Sequence, residues 1–146
     1  MKYFVKREFE KSETADKFKI DNTIPEELMP GLEEFVDNIL DPLREAWGTG
    51  LKINSGYRSP ELNKVVKGST TSSHSIAMAA DLWPLGRDFD RFKEFVRDFL
   101  YARAFDQCII EYSGEKRWVH IGYKNRKGEQ RKQYLIYKDG KYFNWE

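Results

Sequence analysis

Leu32, Phe35, Val36, Ile39, Leu40 and Leu43 recur at helical spacing, and Phe89, Phe92, Phe95, Val96, Phe99 and Leu100 repeat the pattern later in the chain. Each set lays an apolar stripe along one side of a helix, and such a stripe must be buried against another element. Short segments rich in β-branched and aromatic residues supply that partner. They are Gln107 to Glu111, Trp118 to Ile121, Leu135 to Tyr137 and Lys141 to Phe143. Ser113-Gly114 lies between the first two and Lys138-Asp139-Gly140 between the last two, and Asp-Gly is a strong hairpin signal. The pattern predicts an α+β domain in which helices pack against a small, mostly antiparallel sheet.

Local signals fill in the order. The first twenty-five or so residues are charged, with Phe4, Phe9, Phe18 and Ile20 as scattered anchors. Ser12 precedes a short helix, and Asp21 to Pro25 reads as a turn. Pro30 sits where a helix start tolerates it. Pro42 falls inside the first apolar stripe and predicts a kink or break, at a cost of about 3 kcal/mol. Gly48 and Gly50 end that helix. Leu51 to Asn54 reads as a strand, Pro60 opens a short helix, residues 67–73 have loop composition, and Asp81 to Trp83 reads as a short strand. No repeat or linker interrupts the chain, so residues 1–146 are read as one domain, long enough to bury a core without staples.

Charge and cysteine content narrow the functional classes. With 25 basic and 24 acidic side chains, net charge gives no reason to expect a nucleic-acid partner. The basic run over residues 124–132 reads as a solvated turn. A single cysteine, Cys108, excludes an internal disulfide and fits a reducing compartment; its neighbours Ile109 and Ile110 make it a buried strand thiol. The N-terminal segment has no apolar signal-peptide core, and no run approaches a membrane span. The expectation is a monomer made in the cytoplasm, reaching any external substrate only if released.

The chain has two histidines, His74 and His120, and Asp81 lies seven residues after the first. Two imidazoles and one carboxylate are the ligands of a catalytic Zn²⁺ that keeps its fourth position open for water. The residues around them add a second signal. Ser55, Gly56, Tyr57, Arg58, Ser59 and Asn63 form one segment, Ser72, His74, Ala79 and Asp81 another, and Trp118, Val119 and His120 a third. Together these resemble the zinc D-Ala-D-Ala carboxypeptidase and dipeptidase family, whose fold is shared with the hedgehog signalling domain. Ala77 departs from that pattern, which has glycine there.

The resemblance implies a zinc metallopeptidase, of endolysin or wall-remodelling type, that hydrolyses peptide bonds in peptidoglycan stem peptides. His74, Asp81 and His120 would hold the metal. Arg58 would grip a substrate carbonyl or carboxylate, and a glutamate at the end of the strand before Trp118 would serve as general base. Glu111 and Glu115 are both candidates. Pairing Tyr112 with Arg117 across a four-residue loop, Ser113 to Lys116, puts Glu111 opposite Trp118 and on the face of His120, which favours Glu111. A register slip of one residue would reverse that choice. Ser72 is a further candidate for binding substrate, or for stabilising its loop, and Tyr57 and Trp118 for lining a pocket. A non-catalytic, zinc-containing binding domain on the same fold is the alternative.

Overall fold

The computed structural model describes residues 1–86 and 88–146. Its backbone is a run of helices, then strands interleaved with helices, then strands alone. The helices are α1 (Lys6–Glu10), α2 (Glu13–Lys17), α3 (Met29–Phe35), α4 (Asp41–Trp47), α5 (Pro60–Val65) and α6 (Phe89–Leu100). The strands are β1 (Leu51–Ser55), β2 (Ala79–Pro84), β3 (Gln107–Ser113), β4 (Lys116–Gly122), β5 (Gln133–Lys138) and β6 (Lys141–Asn144). They form one sheet in the order β1-β2-β4-β3-β5-β6. Every neighbouring pair is antiparallel except β3 and β5, which run parallel. The architecture is α+β, as the apolar patterns predict.

Period-two alternation divides the sheet into two faces. On the inner face Ala80, Leu82, Cys108, Ile110, Val119 and Ile121 are all 1% exposed or less. They share the core with Leu32, Phe35, Val36, Ile39, Leu40 and Leu43 from the first apolar stripe, and with Phe92, Val96 and Leu100 from α6. Trp47 sits between Phe92 and Phe95, each ring 5.1 Å away, and so joins the two helical units. Burying one such side chain is worth roughly 1.5–3 kcal/mol, so the two stripes dominate the stability of this layer. The outer face carries Asp81, Glu111, Trp118 and His120.

Three expectations need correction. Pro42 does not end its helix; α3 runs into α4 through one wide π-turn, Val36–Leu40, in which the Asp41 amide donates to the Val36 carbonyl. The wider turn takes up the missing proline N–H and the clash of its ring with the preceding turn. The β3–β4 loop is shorter than four residues, because Ser113 still pairs with Lys116, leaving Gly114 and Glu115 as the turn. Phe18 is no anchor, being 55% exposed, whereas Phe4 and Phe9 are buried. The sheet is mostly antiparallel as expected, its one parallel pair arising because the chain from β4 crosses over before β5 joins β3. The β5–β6 hairpin itself is as expected. Asp139 and Gly140 both adopt positive φ, 53° and 74°, as a two-residue hairpin turn requires.

Side chains fix the remaining joins. Ser12 caps α2 by accepting from the Ala15 amide at 3.1 Å, and Ser59 caps α5 by accepting from Leu62 at 3.1 Å. Buried Asp41 accepts the amides of Lys2 and Tyr3, tying the N-terminal segment to the long helix.

Candidate metal centre and cleft

His120 and Asp81 face each other directly across β2 and β4. Glu111 pairs with Trp118 across β3 and β4, two residues along the same face. Strand pairing therefore brings these side chains together without help from any loop. His74 arrives differently, on a single 3₁₀ turn, Ser73–Ile76, just before β2. Ser72 caps this turn, its hydroxyl accepting from the His74 amide at 3.2 Å. The turn closes at Ala77, which is buried and left-handed at φ 58°, ψ 33°. That backbone explains why a glycine would be at home at this position.

The imidazole of His74 is aimed by a backbone oxygen. Its Nδ1 lies 2.6 Å from the Gly56 carbonyl, so Nδ1 carries a proton and donates, which turns Nε2 toward Asp81. Gly56 can offer that carbonyl because α1 presses against it. A Cβ at Gly56 would lie 2.7 Å from Phe9 Cα and 2.8 Å from the Phe9 carbonyl. The Tyr57 amide in turn donates to that Phe9 carbonyl at 2.7 Å. Asn22, 7% exposed, completes the clamp, donating to the carbonyls of Glu10 and Tyr57 and accepting from the Ser59 amide at 2.8 Å.

Asp81 stands between the two imidazoles. Its Oδ1 is 2.9 Å from His120 Nδ1 and 3.4 Å from His74 Nε2, and its Oδ2 is 3.9 Å from Arg58. Ligand atoms of all three residues lie within 4.8 Å of one another. Burial alone would raise the Asp81 carboxyl, but the charge of His74 and the hydrogen bonds from His120 and His74 outweigh it and hold the group well below the ordinary range. Burial also pushes His74 down, against the pull of Asp81. For His120 burial acts in the same direction, yet the hydrogen bond to Asp81 and the charges of Asp81 and Glu111 win, and it is raised. A buried carboxylate flanked by two imidazole nitrogens, one with its proton directed away, is a donor set that fits a divalent metal.

Glu111 Oε1 is 3.8 Å from His120 Nδ1. Burial and then the Asp81 charge raise its carboxyl, and His120, Arg58 and the Trp118 indole offset this only in part. Arg58 reaches toward Ser55 Oγ at 3.4 Å, Asn63 Oδ1 at 3.5 Å and Asp81 at 3.9 Å, all long contacts. Arg58, Ser72, His74, Glu111 and His120 share one open cleft of about 690 Å³. Trp118 borders two adjoining hollows, one with Asp81 and Lys52, the other with Arg58. Glu115 lies at the exposed hairpin tip, away from the three ligand candidates. Tyr57 does not present its ring to the cleft; it is 5% exposed and belongs to the core, reaching only the edge of the hollow beside Arg58.

Sequence reasoning missed four contributors. Asn22 carries no local motif, and only the fold shows what it holds. Phe9 was an anchor by composition, but its backbone partnership with Gly56 and Tyr57 had no signal. Tyr137 and Tyr142 border the same cleft as Glu111, because β5 pairs in parallel with β3 and sets Tyr137 beside Glu111.

On one open sheet face, then, two histidines and an aspartate that could hold a metal ion stand beside a glutamate. The family model of peptidase M15 matches residues 2–122, and the chain belongs to that zinc-dependent family. No curated protein matches it significantly.

Proposed function

We propose that this protein hydrolyses peptide bonds in peptidoglycan stem peptides, as a zinc enzyme whose whole chain is one catalytic domain acting on the cell wall. The observation that carries the reading is the convergence of His74 Nε2, Asp81 Oδ1 and His120 Nδ1 beside a half-buried glutamate in an open cleft. His74, Asp81 and His120 would hold the ion through those atoms. When bound, zinc lowers the pKa of a coordinated water to about 7 and polarises a carbonyl.

The remaining work belongs to the chain's own side chains. Glu111 takes the proton of the attacking water and returns it to the leaving amine. Its raised carboxyl matches that double task better than an ordinary glutamate would. Arg58, with no short ion pair to satisfy it, offers its planar fork to a substrate carbonyl or terminal carboxylate. Gly56 and Asn22 keep His74 and the Arg58 loop in place.

Purified sacculi incubated with zinc-reconstituted protein should release peptides whose new termini, read by mass spectrometry, identify the bond cut. Glu111→Gln should keep zinc and fold but lose roughly 100-fold or more of that release, while Glu115→Gln should change it little. Zinc retained with no release of peptide by the wild type would instead mark a non-catalytic binding domain.

A further inference from the structure

The cleft beside Glu111 is electrostatically lopsided although the chain as a whole is nearly neutral. Arg58, Lys67, Arg126, Lys127 and Arg131 border it, and among its described lining residues Glu111 is the sole carboxylate. Two of these cations have roles already, Arg131 in the fold and Arg58 at the catalytic centre. Arg131 grips buried Asp106 with both oxygens, at 2.7 and 2.9 Å, and Arg58 faces Asp81. Lys67, Arg126 and Lys127 have no carboxylate within ion-pair distance among the described residues.

The two residues from the basic run are held in place. Asn125 closes their turn, its Oδ1 accepting the Lys127 and Glu129 amides at 3.0 and 2.8 Å, and its carbonyl accepting from Gly128. The nearby Glu129 carboxylate is taken up by Asn125 Nδ2 at 2.9 Å. The same cleft has an aromatic wall. Tyr142 is 62% exposed and packs at 4.7 Å on Tyr137, and its phenol is raised by burial and then by the charge of Glu111. Arg126, Lys127, Arg131, Tyr137 and Tyr142 all lie beyond residue 122, where the family match ends.

We propose that this segment is a specificity wall: Arg126 and Lys127, with Lys67, bind a carboxylate of the peptide substrate away from the scissile bond, and the Tyr142 ring packs on the adjoining aliphatic stem. The proposal rests on the peptidase reading and deepens it. Unpaired cations on an ordered turn at the mouth of a catalytic cleft favour an anionic chain and disfavour its amidated counterpart, which leaves them unmatched. In a stem peptide the free acid of the glutamyl residue is such a carboxylate, and it is the one tested.

The test uses two fluorescently labelled stem pentapeptides, one with that glutamyl carboxylate free and one with it amidated, against the zinc-loaded protein. Binding by anisotropy and cleavage by chromatography are measured on both. The free acid should bind roughly tenfold more tightly at low salt, the effect of two or three exposed charge pairs, and the preference should shrink as salt is added. In an Arg126→Gln/Lys127→Gln variant the ratio should fall to within about threefold, with zinc content unchanged and Tm within about 3 °C. Arg126→Ser/Lys127→Ser serves as a second variant. Equal binding of the two peptides by the wild type, or a preference intact in a folded double variant, would overturn the proposal. Selective binding without cleavage would remove the peptidase reading and leave this one standing; cleavage without selectivity would do the reverse.

Discussion

At the scale of single residues, the centre is organised in part by atoms outside its three ligand candidates. The Gly56 carbonyl chooses the tautomer of His74, and Asp81 is held ionised by its two imidazole neighbours. Those shifts give the direction of this centre's pH response in the metal-free protein. Asp81 is depressed when folded, so its contribution is present above about 3.8 and is lost as pH falls below that value. His74 is also depressed, and its contribution is lost below 6.5; His120 is raised, so its contribution is full below 6.5 and fades as pH rises through its folded value. The two histidines oppose each other near neutrality. Urea unfolding in the presence of chelator should therefore show a shallow dependence from pH 6 to 8 and a steep loss below pH 4, and Asp81→Asn should flatten the acid side. Arg58 makes only long side-chain contacts, so Arg58→Ala should leave Tm within a few degrees while cutting turnover by roughly 100-fold, the scale of one lost transition-state donor. A collapse in Tm with specific activity intact would make it a structural residue.

Elements show where pattern reading works and where it stops. The two apolar stripes and the β3–β4 register, Tyr112 to Arg117 and Glu111 to Trp118, were legible because periodicity and pairing are local consequences of the chain. The π-turn before Pro42 was not, because its wider hydrogen bonding leaves no mark on the spacing of apolar residues. The turn at Ala77 is the most testable of these local features. Its left-handed backbone costs an L-residue about 1–2 kcal/mol, while its buried methyl recovers close to 0.8 kcal/mol. Ala77→Gly trades one against the other and should change unfolding free energy by less than about 1 kcal/mol. Ala77→Val adds branching at positive φ and volume in a closed space, and should lose more than about 2 kcal/mol in the same urea measurement.

For the whole molecule, the ligand candidates come from three separate places: a 3₁₀ turn, β2 and β4. A metal held by all three bridges segments that only the fold brings together, so it should bind the folded state in strong preference to the unfolded one. Saturating zinc should then raise stability by about 4 kcal/mol at a thousandfold excess over Kd, seen as a rise in Tm that chelator reverses. His120→Ala should abolish that rise, and zinc retained undiminished by the variant would exclude this ligand set. The sequence alone determined the α+β class and the two core stripes, and it offered the β3–β4 pairing and the metal-ligand candidates, since each depends on residue type and short-range spacing. Tertiary structure decided the rest. It set His74 Nδ1 on the Gly56 carbonyl through the press of α1, sent Tyr57 into the core, and ran β5 parallel to β3 so that a basic turn borders the cleft of Glu111. Those outcomes depend on which distant backbones can approach one another, and nothing in the local order of residues carries that information.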